Sequence, residues 1–304
     1  MITSNNFTLI TNQPWFIPFD IINIISLSVA TILAVLFLLI VTYDKACHNI
    51  PMMLMANSCL SELLFSISLI GMAVFSLQND LTQSQSPDPP CIFRSYIGYV
   101  MYYARNYFFL LQSVYRYVIV VYPTRLGWQS KRVQILLVSV IWISSFVYAL
   151  PHVLTNEIVY QVDEQICEML MHLSWVTLYN IFIVYVIPLH GIALIYLKLV
   201  RYVKEIGAQV NSANTLLRAQ RELRMVYRIV VLVSILIGLG IPYTAFTFMG
   251  FFTSPPRYHF RIALIFVNTG SLFIIIALFK FTDPVYVFLM KHITRIVVRA
   301  SVTN

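Results

Sequence analysis

Seven long apolar stretches divide the chain, at about residues 21–43, 51–77, 92–122, 132–151, 173–199, 226–252 and 261–289. As a helix rising ~1.5 Å per residue, each can cross ~30 Å of hydrocarbon. The runs are continuous and lack period-two alternation, which selects helices over a barrel. Polar breaks set the boundaries. Asp44-Lys45-Ala46-Cys47-His48 predicts a tight turn, with Pro51 placed to open the next helix. Residues 79–90 are polar and proline-rich, and residues 152–172 gather Glu157, Asp163, Glu164 and Glu168 around Cys167. After the last span, residues 291–299 set Ile293, Ile296 and Val297 against basic residues, the pattern of a short interfacial helix. The expected fold is an all-α membrane protein. It has a tail over 1–20, a seven-transmembrane helix bundle over 21–289, and an interfacial helix with a short tail over 290–304.

Composition agrees. Of 304 residues, 59% are hydrophobic and 11% charged, with a mean hydropathy of +0.79. A soluble domain carries roughly 25% charge. With the N-terminus outside, fifteen of the twenty lysines and arginines fall on inner segments. Arg94, Arg257 and Arg261 are then the three on outer ones. That asymmetry fixes N-terminus-outside topology. The net charge of +8 is therefore a topology signal that also favours anionic membrane lipid, and nucleic acid is not an expected partner. Residues 1–20 lack the basic start of a cleaved signal, so the first span is expected to act as an uncleaved anchor. Asn6-Phe7-Thr8 is a glycosylation sequon on the outer side. Cys91 and Cys167 also lie outside, where disulfides persist, whereas Cys47 and Cys59 are expected as free thiols.

No His-Glu-x-x-His, Gly-x-Ser-x-Gly or phosphate-binding glycine loop is present, so no enzyme, cofactor or metal is expected. The halves show no self-similarity of the kind secondary transporters carry, which leaves a small transporter as a lesser alternative.

Several residues stand in a fixed register. Cys91 precedes Arg116 by 25 positions, and Arg116 precedes Pro123 by 7. Trp142 lies in span four, Pro188 precedes Tyr196 by 8, Pro242 sits in mid-span six, and Asp283-Pro284 closes span seven. Over residues 20–300 this pattern resembles the rhodopsin-like (class A) G-protein-coupled receptors. The resemblance implies a multi-pass plasma-membrane receptor that binds an extracellular ligand and activates a heterotrimeric G protein. It implies a disulfide between Cys91 and Cys167. It also implies a switch in which Arg116, within Tyr115-Arg116-Tyr117, meets the G protein when span six swings out. Glu222, 20 residues before Pro242, would hold Arg116 at rest, and Tyr196 would stand behind the freed arginine.

The chain departs from the family at identifiable places. Tyr115 stands where the family has Asp, Val287 where it has Tyr (with Tyr286 one residue early), and Gly240 where it has Trp. Glu62 falls on the family's sodium-binding Asp and Asp283 replaces Asn, while Arg105 and Lys280 replace small polar residues nearby. Two acids and two bases facing each other can neutralise, which leads us to expect a buried network of Glu62, Arg105, Lys280 and Asp283 in place of sodium. The expected ligand cavity is lined by Tyr99, Tyr102, Tyr103, Asn180, Tyr243, Thr247 and Phe273. Gly98 argues against a monoamine of the family's usual kind, and Ala277 against a retinal chromophore. The acidic second outer loop would steer a basic peptide. The departures at Tyr115, Gly240 and Val287 keep open a receptor-like protein that binds ligand without coupling.

Overall fold

A computed structural model describes residues 15–82, 89–125, 127–209, 213–253 and 255–291. The Asn6 sequon and the segment past Lys291, including most of the expected interfacial helix, lie outside the described residues.

Seven long helices run through the described chain. These are α1 (Phe16–Tyr43), α2 (Ile50–Thr82), α3 (Cys91–Val121), α4 (Lys131–Leu154), α5, α6 (Ala213–Gly250) and α7 (His259–Phe281). Helix α5 runs Trp175–Asn180, widens into a π-helical stretch at Ile181–Val186, and continues as Ile187–Gln209. Local chemistry sets several ends. Asp44 accepts from Ala46 N (3.0 Å) to cap the 3₁₀ turn Lys45–Cys47. Ser130 and Ser174 accept from Val133 N and Thr177 N to cap α4 and α5. Helix α7 starts after Tyr258, whose φ of 67° reverses the chain.

The π-helical stretch has a direct cause. Pro188 has no N–H, so carbonyls one turn earlier lose their intrahelical donor. Helix α3 supplies replacements: Asn106 Nδ2 donates to Val184 O (3.3 Å) and Tyr107 OH to Ile183 O (3.1 Å). The same rule shapes the end of α7. The helix stops at Thr282, just before Pro284, and residues 283–291 are helical again.

The helices close a ring, with α1 against α2 and α7, and α6 against α5 and α7. Helix α3 is central and touches α2, α4, α5 and α6. Six of the seven helices are long and apolar enough to span a membrane on composition alone. Helix α3 falls short because it carries Arg94, Arg105, Arg116 and many tyrosines, which suits an inner helix shielded from lipid by its neighbours. In the inner half, Phe37, Cys59, Phe109, Leu232, Ile274 and Leu278 belong to one buried cluster. Outside, Ile32, Leu136, Ile143, Phe182 and Ile241 project from the bundle as a lipid-facing belt.

Two short strands, β1 (Ile158–Gln161) and β2 (Ile166–Met169), form an antiparallel hairpin within the loop between α4 and α5. This is a small β addition to an otherwise helical fold. A disulfide from Cys91 at the start of α3 to Cys167 in β2, with Cα atoms 5.5 Å apart, holds the hairpin over the outer mouth.

Candidate functional site

The outer half of the bundle encloses a cavity of about 90 Å³. Tyr99 and Tyr102 of α3, Asn180 of α5 and Tyr243 of α6 line it, four of the seven residues expected there. Thr247 lines an adjoining cavity between α5 and α6. Tyr103 and Phe273 line neither. Tyr103 lies about 100° round the helix from Tyr102. It faces α4 and stacks between Tyr107 (4.1 Å) and Tyr148 (4.7 Å). Phe273 points to lipid, and its neighbours Ile274 and Ile275 take the inward face.

Hydrophobicity did not reveal a further wall residue, Glu168 in β2. The disulfide at Cys167 places it over the cavity, where it accepts a hydrogen bond from Tyr99 OH. Removal from water pushes its carboxyl up to about 7, against the pull of that hydrogen bond.

At the cavity floor, Arg105 Nη1 meets Glu62 Oε2 at 2.6 Å, both fully buried. The guanidinium lies over Tyr102 (4.6 Å) and Phe65 (5.0 Å), so aromatic faces supply part of its solvation. Below it, Gln112 Nε2 donates to Ser58 Oγ (2.6 Å), and Trp142 Nε1 to Asn57 Oδ1 (2.9 Å).

At the cytoplasmic end, Arg116 Nη1 and Glu222 Oε2 stand 2.9 Å apart and join α3 to α6. Each is about one-eighth exposed, so the pair is partly dry yet reachable from the cytoplasm. Tyr115 turns away and packs with Leu54, Phe108, Leu111 and Ile141. An aspartate could not sit there without a partner, so Tyr115 trades a charge for apolar contact with α2 and α4. Tyr117 meets Tyr122 edge-on at 6.1 Å. Tyr196 packs beside Val120, Leu199 and Val226, with Val120 and Val226 one turn beyond Arg116 and Glu222.

The sequence profile of the 7 transmembrane receptor (rhodopsin family) matches residues 33–278. The chain belongs to that receptor family. No curated protein matches the sequence. Among solved structures, squid rhodopsin superposes with a TM-score of 0.71 at 17% identity, over 89% of this chain and 84% of that one. At that identity the likeness is one of fold. A rhodopsin-family chain with these apolar helices is a multi-pass plasma-membrane receptor, not an enzyme.

In this rhodopsin-family receptor the four expected buried charges do not form one network. Lys280 is exposed. It lies two turns beyond Phe273 on the same lipid-facing stripe as Ile276, so one helix rotation turns both residues away from the core. Asp283 follows the break at Thr282 and pairs with Arg228 of α6 (2.8 Å), with its side chain 58% exposed. Arg228 also donates to Phe281 O (2.6 Å), a carbonyl freed by that break. Pro284 sits in the helical turn that follows, and Tyr286 and Val287 both face outward.

A second buried cluster, not anticipated from the sequence, closes the outer end. Arg261 of α7 grips Asp80 of α2 with two bonds (2.6 and 3.1 Å) and reaches Asp20 of α1 (3.4 Å). Glu164, in the hairpin turn, accepts from the α7 backbone at Phe260 N and Arg261 N (3.3 and 3.1 Å) and lies 3.3 Å from His259. Burial pushes Glu164 up to about 7. The available signal was a cation at the outer start of one span with carboxylates at the outer ends of two others. Glu164 and Glu168 thus point inward, which leaves Glu157 and Asp163 as the loop's remaining acids.

Proposed function

We propose that this rhodopsin-family receptor binds an extracellular ligand in the Tyr99–Tyr102–Tyr243 cavity and activates a heterotrimeric G protein. Arg116 is released from Glu222 as the inner end of α6 moves outward. The observation that carries this reading is the 2.9 Å Arg116–Glu222 pair. It is the one α3–α6 ion pair among the described residues, and it sits where a cytoplasmic partner can reach it. Its geometry suits a two-state element: a charge-assisted bond, partly screened from water, between helices that contact each other modestly. Tyr196 stands ready to pack against the freed guanidinium.

The ligand cavity connects to this latch through α6. Tyr243 and Gly240 line the cavity, and Glu222 lies five turns down the same helix. Pro242 weakens α6 between them by removing the donor to Gly238 O, which provides a bend point. A basic peptide finds less steering than the loop's composition implies, because Glu164 and Glu168 are turned inward.

A second reading, a receptor that binds without coupling, draws on Tyr115 being committed to the α2–α4 core and on outward-facing Tyr286. Guanine-nucleotide exchange by purified G proteins on membranes containing the receptor separates the two. Coupling predicts exchange that Arg116→Ala abolishes; absence of exchange across the G-protein classes overturns it.

A further inference from the structure

Next to the small cavity, a larger one of about 480 Å³ opens between α5 and α6. The two share Tyr102, Asn180, Tyr185, Leu236, Gly240 and Tyr243, so they are chambers of one space. The sequence builds the larger chamber. Pro188 and the π-helical stretch Ile181–Val186 distort α5 on one side. On the other side Gly240 carries no side chain, and a Cβ placed there meets no atom within 4 Å. The wall is mostly apolar, with Ile181, Val184, Leu189, Ile192, Val233 and Leu236 along it. Ile237, Ile241 and Phe248, at its outer lip, are 48%, 59% and 59% exposed on the lipid-facing surface. This chamber therefore opens sideways into hydrocarbon.

The small chamber has the opposite character. Glu168 faces it with Tyr99 OH as its hydrogen-bond donor and no cation paired with it among the described residues. The other charge on the wall, Arg105, is already neutralised by Glu62. An ionised Glu168 thus leaves one uncompensated negative charge in a chamber walled by the rings of Tyr99, Tyr102, Tyr185 and Tyr243. Carboxylate and aromatic faces together recognise an organic cation. The adjoining apolar chamber calls for a hydrocarbon chain, and a combined space of several hundred Å³ is ligand-sized.

We propose that the ligand is a long-chain amine drawn from the bilayer, its ammonium head against Glu168 and its tail in the α5–α6 chamber. This rests on the receptor reading above and supplies its ligand class. It also accounts for Gly98: the counter-ion comes from the outer hairpin instead of from α3. Met169 of β2 and the following Leu170 and Met171 line the larger chamber's outer side, so passage through the membrane replaces passage through that cover.

The test uses the full chain in lipid nanodiscs and three probes with the same photoreactive fourteen-carbon tail, ending in an amine, an alcohol or a carboxylate. Labelling is mapped to α5 and α6 and needs no G protein. The expected result is amine labelling at least about tenfold stronger than either other probe, with the preference lost in Glu168→Gln. In Gly240→Leu, which fills the larger chamber, labelling by every probe falls. Excess butylamine, a head without a tail, does not compete. Thermal melting confirms that both variants fold; Glu168→Gln reports on the small chamber, and Gly240→Leu on the space where the two chambers meet. Equal labelling by the three probes, an undiminished preference in Glu168→Gln, or full displacement by butylamine overturns the proposal. The same preparations are assayed for nucleotide exchange. Amine-selective labelling without exchange supports the ligand class while removing coupling. Exchange without selective labelling does the reverse.

Discussion

Arg105 on α3 and Glu62 on α2 form a 2.6 Å ion pair with both side chains closed to solvent. In hydrocarbon neither charge is tolerable alone. Together they cancel, and the Tyr102 and Phe65 rings cover the guanidinium. The pair ties α2 to the central helix at the floor of the ligand cavity.

Removing one partner leaves a bare buried charge, so Glu62→Gln or Arg105→Met should each cost about 3–5 kcal/mol. The double variant leaves no charge and should recover most of that. Thermal melting of the purified receptor measures all three. A double variant as unstable as either single one would show that the side chains matter for shape and not for charge.

The resemblance to the receptor family sets Glu62 at that family's sodium position, and the Arg105 guanidinium already supplies a positive charge beside it. Melting in sodium chloride and in choline chloride at equal ionic strength should therefore coincide. A sodium-specific rise in melting temperature would mean that the cation still binds.

The outer cluster predicts its own hierarchy. Arg261→Ala removes the cation that Asp80 and Asp20 share, so it should cost about 3–5 kcal/mol. Asp20 sits at the longer 3.4 Å contact, so Asp20→Asn should cost less than Asp80→Asn, which breaks two bonds. Equal losses would place the grip elsewhere.

How far these sites are legible in the sequence depends on which geometric variable each needs. Span positions follow from apolar length, whereas the Arg116–Glu222 pairing is what the resemblance to the receptor family implies. The Cys91 register placed α3 more firmly than apolar length alone, because Arg94, Arg105 and Arg116 interrupt its 92–122 stretch. Membership of the buried charge set depended on helix rotation and on the Thr282 break, which span lengths do not reveal; hence Lys280 and Asp283 fell away. The outer cluster was missed for another reason. Helix α1 begins at Phe16 and α2 runs to Thr82, both several residues past their apolar stretches. Asp20 reads as a tail residue and Asp80 as a loop residue, yet regular helix carries both into protein.

Acid should stabilise the outer hairpin. Glu164 and Glu168 have their carboxyls raised from an ordinary 4.5 to about 7 by loss of water. Between those values the folded state keeps protons that the unfolded chain releases, so stability falls as pH rises from about 5 to 7.5. Arg261, His259 and Asp163 surround Glu164, and Tyr99 and Tyr243 face Glu168. In Glu164→Gln this part of the pH dependence of melting should flatten. A melting temperature that rises with pH over that window would contradict the assignment.

A second tie on α6 should also restrain the receptor. Arg228 holds Asp283 and Phe281 O of the segment ending α7. Because Asp283 is largely exposed, Asp283→Asn should raise basal nucleotide exchange only slightly, whereas Arg228→Ala, which loses both contacts, should raise it further. Equal exchange in the two variants would remove the carbonyl contact from the account.

The most direct test of the switch is basal nucleotide exchange in membranes bearing wild type, Glu222→Ala, Arg116→Ala and the double variant. Release of Arg116 predicts that Glu222→Ala exceeds wild type several-fold, a gain matching the roughly 1–2 kcal/mol of a partly exposed ion pair. Arg116→Ala and the double variant should both fall below wild type. Exchange unchanged in Glu222→Ala and in Arg116→Ala would contradict the account and leave a receptor that binds without coupling.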